Sequence, residues 1–201
     1  MKNLSILLLL SIIAISFNAC RKDKGPKALG FVLASGTGTP IQGATVDLYQ
    51  GESFTGPWTF DRTLTTGSDG AYEFVIPDNE AYRLSAYHPE YFEIANGYFQ
   101  LTKDDREDNA ILTPHAYIKL HVENVAPVDE FDRINIGLWS EILNDTPEYI
   151  GTLVSEEETF LRRGNQVHQI AWKVTKNGSE SIFKDSIYVS GLDTTFYEIL
   201  Y

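Results

Sequence analysis

Thr66-Gly67-Ser68-Asp69-Gly70-Ala71-Tyr72-Glu73-Phe74 decides the fold class. Asp and Gly tolerate positive φ, so Asp69-Gly70 marks a tight turn, expected here as a hairpin joining strands at 59–65 and 71–76. Beyond the turn, Tyr72 and Phe74 alternate with Glu73, so the two rings share one face of a strand. The same grammar recurs at Lys176-Asn177-Gly178, between runs at 166–175 and 181–189. Asn-Gly flanked by such runs is the clearest hairpin signal in the chain.

Working outward, short runs rich in Val, Ile, Thr, Tyr and Phe repeat, broken by Gly, Pro, Asn and Asp. They fall at 28–35, 44–49, 82–87 and 98–101, then at 111–123, 134–138 and 196–201. Ala44, Val46 and Leu48 alternate with polar neighbours, as do Ala116, Ile118, Leu120 and Val122. No window of a dozen residues shows a helical period. The expectation is an all-β protein with two tandem β-sandwich domains. The charged stretch Lys103-Asp104-Asp105-Arg106-Glu107-Asp108-Asn109 marks the end of the first, which gives domains at 28–112 and 113–201. Strand spacing alone makes the second immunoglobulin-like.

The N-terminus reads as an address. Lys2 precedes the apolar run Leu4 to Ile15, which is shorter than the roughly 20 residues of a comfortable membrane span. The run leads to Ser16-Phe17-Asn18-Ala19-Cys20, and Cys20 is the chain's one cysteine. This resembles the lipobox of a bacterial lipoprotein, with Phe17 at the position that usually holds Leu. The resemblance implies a signal peptide at 1–19, lipid on Cys20 and a basic tether at 20–27. Such a chain sits in the cell envelope, with the outer membrane expected, and meets the membrane through two or more acyl chains.

In the first half, Gly30-Phe31-Val32, Pro40-Ile41-Gln42-Gly43-Ala44-Thr45-Val46, the opening nonapeptide, Tyr82-Arg83-Leu84 and Tyr91 together resemble the carboxypeptidase regulatory-like domain. That resemblance implies a transthyretin-like sandwich over 28–112, in which Gly43 and Ala44 allow close strand packing. It implies no activity, because the module accompanies peptidases, outer-membrane transporters or lipoproteins. Hydroxyisourate hydrolases of this sandwich type end in Tyr-Arg-Gly-Ser. This chain reads Tyr197-Glu198-Ile199-Leu200-Tyr201 instead.

Composition narrows the function classes. With 28 Asp+Glu against 16 Lys+Arg, the formal charge is -12, which disfavours nucleic acid as a partner. One cysteine excludes an internal disulfide and zinc sites built on cysteine pairs. His88, His115, His121 and His168 are scattered, and His121-Val122-Glu123 sets a histidine and a carboxylate on one strand face. Asp104-Asp105-Arg106-Glu107-Asp108 and Glu156-Glu157-Glu158 read as solvated loop charge, without the spacing of a calcium loop. No catalytic residue, metal or cofactor is expected. Trp172 alternates with Ile170 and Val174 and belongs to the core. Trp58, in a loop after Gly56-Pro57, and Trp139, opposite Ile136 and Leu138, are the candidates for stacking a ligand. The expected role is a non-enzymatic binding or scaffolding component of the envelope. The alternatives are a glycan-binding lipoprotein of an outer-membrane uptake system and an enzyme of unrecognised type.

Overall fold

A computed structural model describes residues 25–51, 57–76, 81–92, 94–100, 106–138 and 147–201. Cys20, the signal peptide and Trp139 lie outside these residues. The first strands are Lys27–Ala34 (β1), Thr45–Gly51 (β2), Trp58–Thr65 (β3), Ala71–Val75 (β4) and Ala81–Tyr87 (β5). Tyr91–Phe92 (β6), Ile94–Gln100 (β7), Arg106–Glu107 (β8) and Ala110–Glu123 (β9) follow. The rest are Arg133–Gly137 (β10), Glu148–Ile150 (β11), Ser155–Arg163 (β12), Gln166–Lys176 (β13), Ser179–Val189 (β14) and Thr194–Leu200 (β15). The described chain is all-β and forms sandwiches.

β9 organises the molecule. Its 14 residues alternate strictly, with every even-numbered residue from Ala110 to Val122 buried. Ala110 and Leu112 belong to one hydrophobic core, with Val32, Leu48 and Phe74. Ala116, Ile118, Leu120 and Val122 belong to another, with Ile134, Ile170 and Ile199. Each fully buried Leu or Ile contributes about 1.5–3 kcal/mol, so each core supplies its own driving force. The passage from one core to the other occurs inside a single strand.

The neighbours of β9 change at that passage. Residues 110–112 pair in parallel with β1, residues 113–114 with β6, residues 115–123 with antiparallel β12, and residues 117–123 also with parallel β15. β9 thus holds together one seven-stranded sheet that serves both sandwiches. A four-stranded sheet, β3-β2-β5-β7, faces it in the first, and β11-β10-β13-β14 faces it in the second. Pro114, which cannot donate to a ladder, sits at the change of partners, where such a residue costs least.

The Asp69-Gly70 turn differs from the expected hairpin. Gly70 does take positive φ, at 69°, and its N–H closes a turn onto the Gly67 carbonyl at 3.0 Å. The strands on either side do not pair: β3 pairs with β2, and β4 with β1. Buried Thr66 holds one end in the first sheet, donating its hydroxyl to the Ile41 carbonyl at 2.6 Å and accepting the Ala44 N–H. At the other end, Val32 N donates to Gly70 O at 2.8 Å. The turn therefore carries the chain across the core. Gly43 also has a different reason from close packing, since a Cβ there would meet open space while φ is 78°. Tyr72 and Phe74 do share a buried face, 6.1 Å apart.

At Asn177-Gly178 the hairpin forms as expected. Both residues lie in the left-handed region, φ 49° and 71°, and Lys176 pairs with Ser179 across the two-residue turn.

Candidate functional site at the open flank of the second sandwich

Counting outward from the Asn177-Gly178 turn places Trp172 opposite Phe183 on the inner face of β13 and β14. Their rings stack, with centroids 5.5 Å apart and planes 17° from parallel. β14 is the end strand of its sheet, and β15 pairs only with β9 among the described strands. The inner face of β14 therefore overhangs the sandwich edge. Trp172 is half-buried and Phe183 exposed, where alternation with Ile170 and Val174 predicts a fully enclosed Trp172.

A cleft of about 300 Å³ opens beside this pair. Val174 and Phe183 form its apolar side, Ser179 and Ser181 contribute hydroxyls, and Leu200 and Tyr201 close it from the chain's end. The Tyr197 hydroxyl ties the two sheets across the flank by donating to Asp185 Oδ2 at 2.6 Å. That bond, with the Ser186 N–H, holds the Asp185 carboxyl below the usual carboxylate range, while burial and Asp185 push the Tyr197 phenol up.

The floor is polar and occupied. Lys176 Nζ donates to Asn124 Oδ1 at 2.9 Å and to the Ala126 carbonyl at 2.6 Å, and lies 4.9 Å from the Tyr201 ring centre. Fully buried Asp132 accepts from Val128 N at 2.8 Å and Asn124 Nδ2 at 3.1 Å, with Lys176 Nζ at 4.0 Å. Burial pushes the Asp132 carboxyl up, but these hydrogen bonds and the Lys176 charge outweigh it, and the net shift is downward. Burial and the Asp132 charge push the Tyr201 phenol up to about 12. Lys176 is thus committed to the fold. What the cleft offers a ligand is ring surface, aliphatic surface and serine hydroxyls.

The candidates from sequence do not gather here. Trp58 begins β3 opposite Gly51, in a strand and not in a loop, and is half-buried; Trp139 lies outside the described residues. Glu156-Glu157-Glu158 lie in β12 and not in a loop; β12 carries no strand signal in the sequence because apolar residues do not alternate along it. Glu157 is paired with Lys119 at 2.8 Å, and that bond holds its carboxyl low. Asp104-Asp105 lie outside the described residues. His121 and Glu123 do share a face, Nε2 to Oε2 3.4 Å, but no three metal-ligating side chains converge among the described residues. His88 takes the Glu90 N–H at 3.3 Å, His115 packs edge-on to Phe92 at 4.5 Å, and His168 Nε2 bonds the Arg163 carbonyl at 2.7 Å. The sequence signal for the actual aromatic pair was present. Asn-Gly fixes a two-residue turn, and the register follows from it.

No protein-family model and no curated protein matches the chain. Similar solved structures include the Bacillus anthracis TIE protein, at TM-score 0.40 and 13% identity over 87% of this chain and 33% of that one. The shaft pilin SpaA from Lactobacillus rhamnosus GG aligns at TM-score 0.38 and 11% identity over 87% of this chain and 96% of the pilin. A DUF3823 family protein from Bacteroides ovatus ATCC 8483 aligns at TM-score 0.33 and 16% identity over 83% of this chain and 99% of that one. The chain spans about a third of the length of the TIE protein chain it matches. These are likenesses of all-β architecture. Among the described residues, no helix is long and apolar enough to cross a membrane.

Proposed function

We propose that this chain is a non-enzymatic, lipid-anchored protein of the bacterial cell envelope that works as a binding or scaffolding component. Lipid on Cys20 holds it to the membrane, and the first sandwich is the carboxypeptidase regulatory-like module. The observation that carries the reading is the flank at β14. An aromatic-lined cleft opens along a sheet edge, with Lys176 already bonded to the fold, so that surface complementarity is what the cleft has to offer. β9 supports the scaffold part, because a continuous strand through two cores couples the anchored sandwich to the binding one. Radiolabelled palmitate should enter the wild type and not Cys20→Ser. Pull-down of the lipidated protein should bring a partner that Phe183→Asp loses while keeping its fold. Unlabelled wild type would overturn the anchor, and partner recovery unchanged by Phe183→Asp would overturn the binding face.

A further inference from the structure

Asn124 follows the last residue of β9, Asp132 precedes the first of β10, and Lys176 ends β13 at the Asn177-Gly178 turn. Three separate stretches of chain thus meet at one end of the second core. Asn124 is buried and Asp132 fully so. Every polar side of the Asn124 amide is engaged. Its Nδ2 donates to Asp132 Oδ2 at 3.1 Å and to the Gly151 carbonyl at 3.0 Å, and its Oδ1 accepts from Lys176 Nζ at 2.9 Å. Two acceptors around Nδ2 fix which end of the amide faces the lysine.

Three other lysines make a different contact. Lys27, Lys119 and Lys173 meet Glu73, Glu157 and Glu180, whose side chains are each more than half exposed. A solvated carboxylate offers an amine no leaving group. Lys176 meets a carboxamide, whose nitrogen can leave as ammonia once protonated. Oδ1 is bonded to Cγ at about 1.2 Å, so Nζ lies within about 4.1 Å of that carbon. Asp132 Oδ2 faces both ends of such an exchange. It lies 3.1 Å from the nitrogen that would leave and 4.0 Å from the nitrogen that would attack. Passing a proton from Lys176 to Asp132 also removes two charges from a site where burial penalises them.

We propose that Lys176 and Asn124 join spontaneously in an intramolecular isopeptide bond, with Asp132 as the catalytic residue. Asp132 takes a proton from the Lys176 ammonium, and the neutral Nζ attacks Cγ of Asn124. Asp132 then delivers that proton to Nδ2, the Cγ–Nδ2 bond breaks, and an Nζ–Cγ amide remains. The second proton lost by Nζ departs with the ammonia as ammonium, and Asp132 ends as a carboxylate. One amide replaces another, so the step needs no oxidant and no activated group. The fold supplies proximity, and burial keeps water from competing for Cγ. β9 belongs to the seven-stranded sheet and β13 to the four-stranded sheet that faces it. The bond therefore staples the two layers of the second sandwich together at the floor of the cleft.

The test is peptide mapping by mass spectrometry of the full chain, purified folded and then denatured. Trypsin cuts after Lys and Arg, so an unjoined chain yields 120–133 and 174–176 as separate peptides. A joined chain protects Lys176 and yields 120–133 linked to 174–184, lighter than their sum by one ammonia. The wild type should give the linked pair. Lys176→Arg, which keeps the charge but has no amine to attack, should give none. Asp132→Asn, with its fold checked by circular dichroism, should join about a hundredfold more slowly or not at all. Separate peptides from folded wild type overturn the proposal, and this result needs no variant to fold. Loss of ammonia from 120–133 in Lys176→Arg also overturns it, because the nitrogen then leaves without the amine. Linkage undiminished in Asp132→Asn overturns the role of Asp132.

Discussion

Asn165 reaches across the junction of the two sandwiches and donates its Nδ2 to the Ser35 carbonyl at 2.9 Å, a contact between residues 130 apart in sequence. Its Oδ1 accepts the Gly191 N–H at 2.8 Å, and its own φ is 58°, a conformation Asn adopts more readily than most residues. Gly36 packs so closely on Asn165 that a Cβ there would lie 2.7 Å from the Asn165 Cβ. Together with β9, this makes the junction a fitted joint.

Asn165→Ala should cost about 1–3 kcal/mol, because it removes two hydrogen bonds and leaves an alanine in the left-handed region. Asn165→Gly relieves the backbone but not the lost bonds, so its loss should be smaller. Calorimetry should show a lower melting temperature for both, with the alanine variant the lower of the two. Equal stability of Asn165→Ala and wild type would mean the side chain does not tie the halves together.

Gly70→Val and Gly178→Val separate conformation from collision. Both glycines have positive φ, but a Cβ at Gly178 meets open space, whereas at Gly70 it would lie 2.7 Å from the Val32 carbonyl oxygen. Gly178→Val should cost about 1–3 kcal/mol through backbone strain. Gly70→Val should cost more, since backbone must also move. Chemical denaturation midpoints in the reverse order would contradict the crossing turn.

These two glycines also show how far the sequence could be read. Local chemistry is legible, so positive φ was evident at both sites, and at Asn177-Gly178 the strands that flank the turn are also partners. At Asp69-Gly70 the destinations of the strands depend on β1 and β2, which pair with them from elsewhere in the chain, and no local signal carries that. β12 was illegible for a related reason. Ser155-Glu156-Glu157-Glu158 has no apolar alternation, and the strand exists because β9 supplies nine paired residues beside it. Trp172 reads as core from its neighbours in sequence. Only the overhang of β14 leaves it half open.

Asp132 should make the protein acid-labile. Its carboxyl sits lower in the folded chain than when unfolded, so its contribution is present above the unfolded value, about 3.9, and is lost as pH falls through the lower folded one. Urea midpoints measured from pH 5 down to pH 2 should fall for wild type and fall less for Asp132→Asn, which starts less stable. Parallel profiles would show that Asp132 is not the group involved.

The alkaline limb has the opposite sign. Tyr201 is raised to about 12, so its neutral form is favoured in the fold. That contribution is complete below the unfolded value, about 10, and is lost as pH rises through 12. Tyr201→Phe should show a shallower loss of stability between pH 10 and 12 than wild type. An unchanged slope would exclude this phenol as a cause.

The most direct measurement of the central claim is photo-cross-linking in living cells. A photoreactive residue replaces either Ile182, on the β14 edge, or Thr159, on the exposed outer face of β12. The account predicts a discrete adduct from position 182 in the membrane fraction, with none from 159. No adduct from 182, or the same adducts from both positions, would contradict a lipid-anchored protein that binds through its β14 flank.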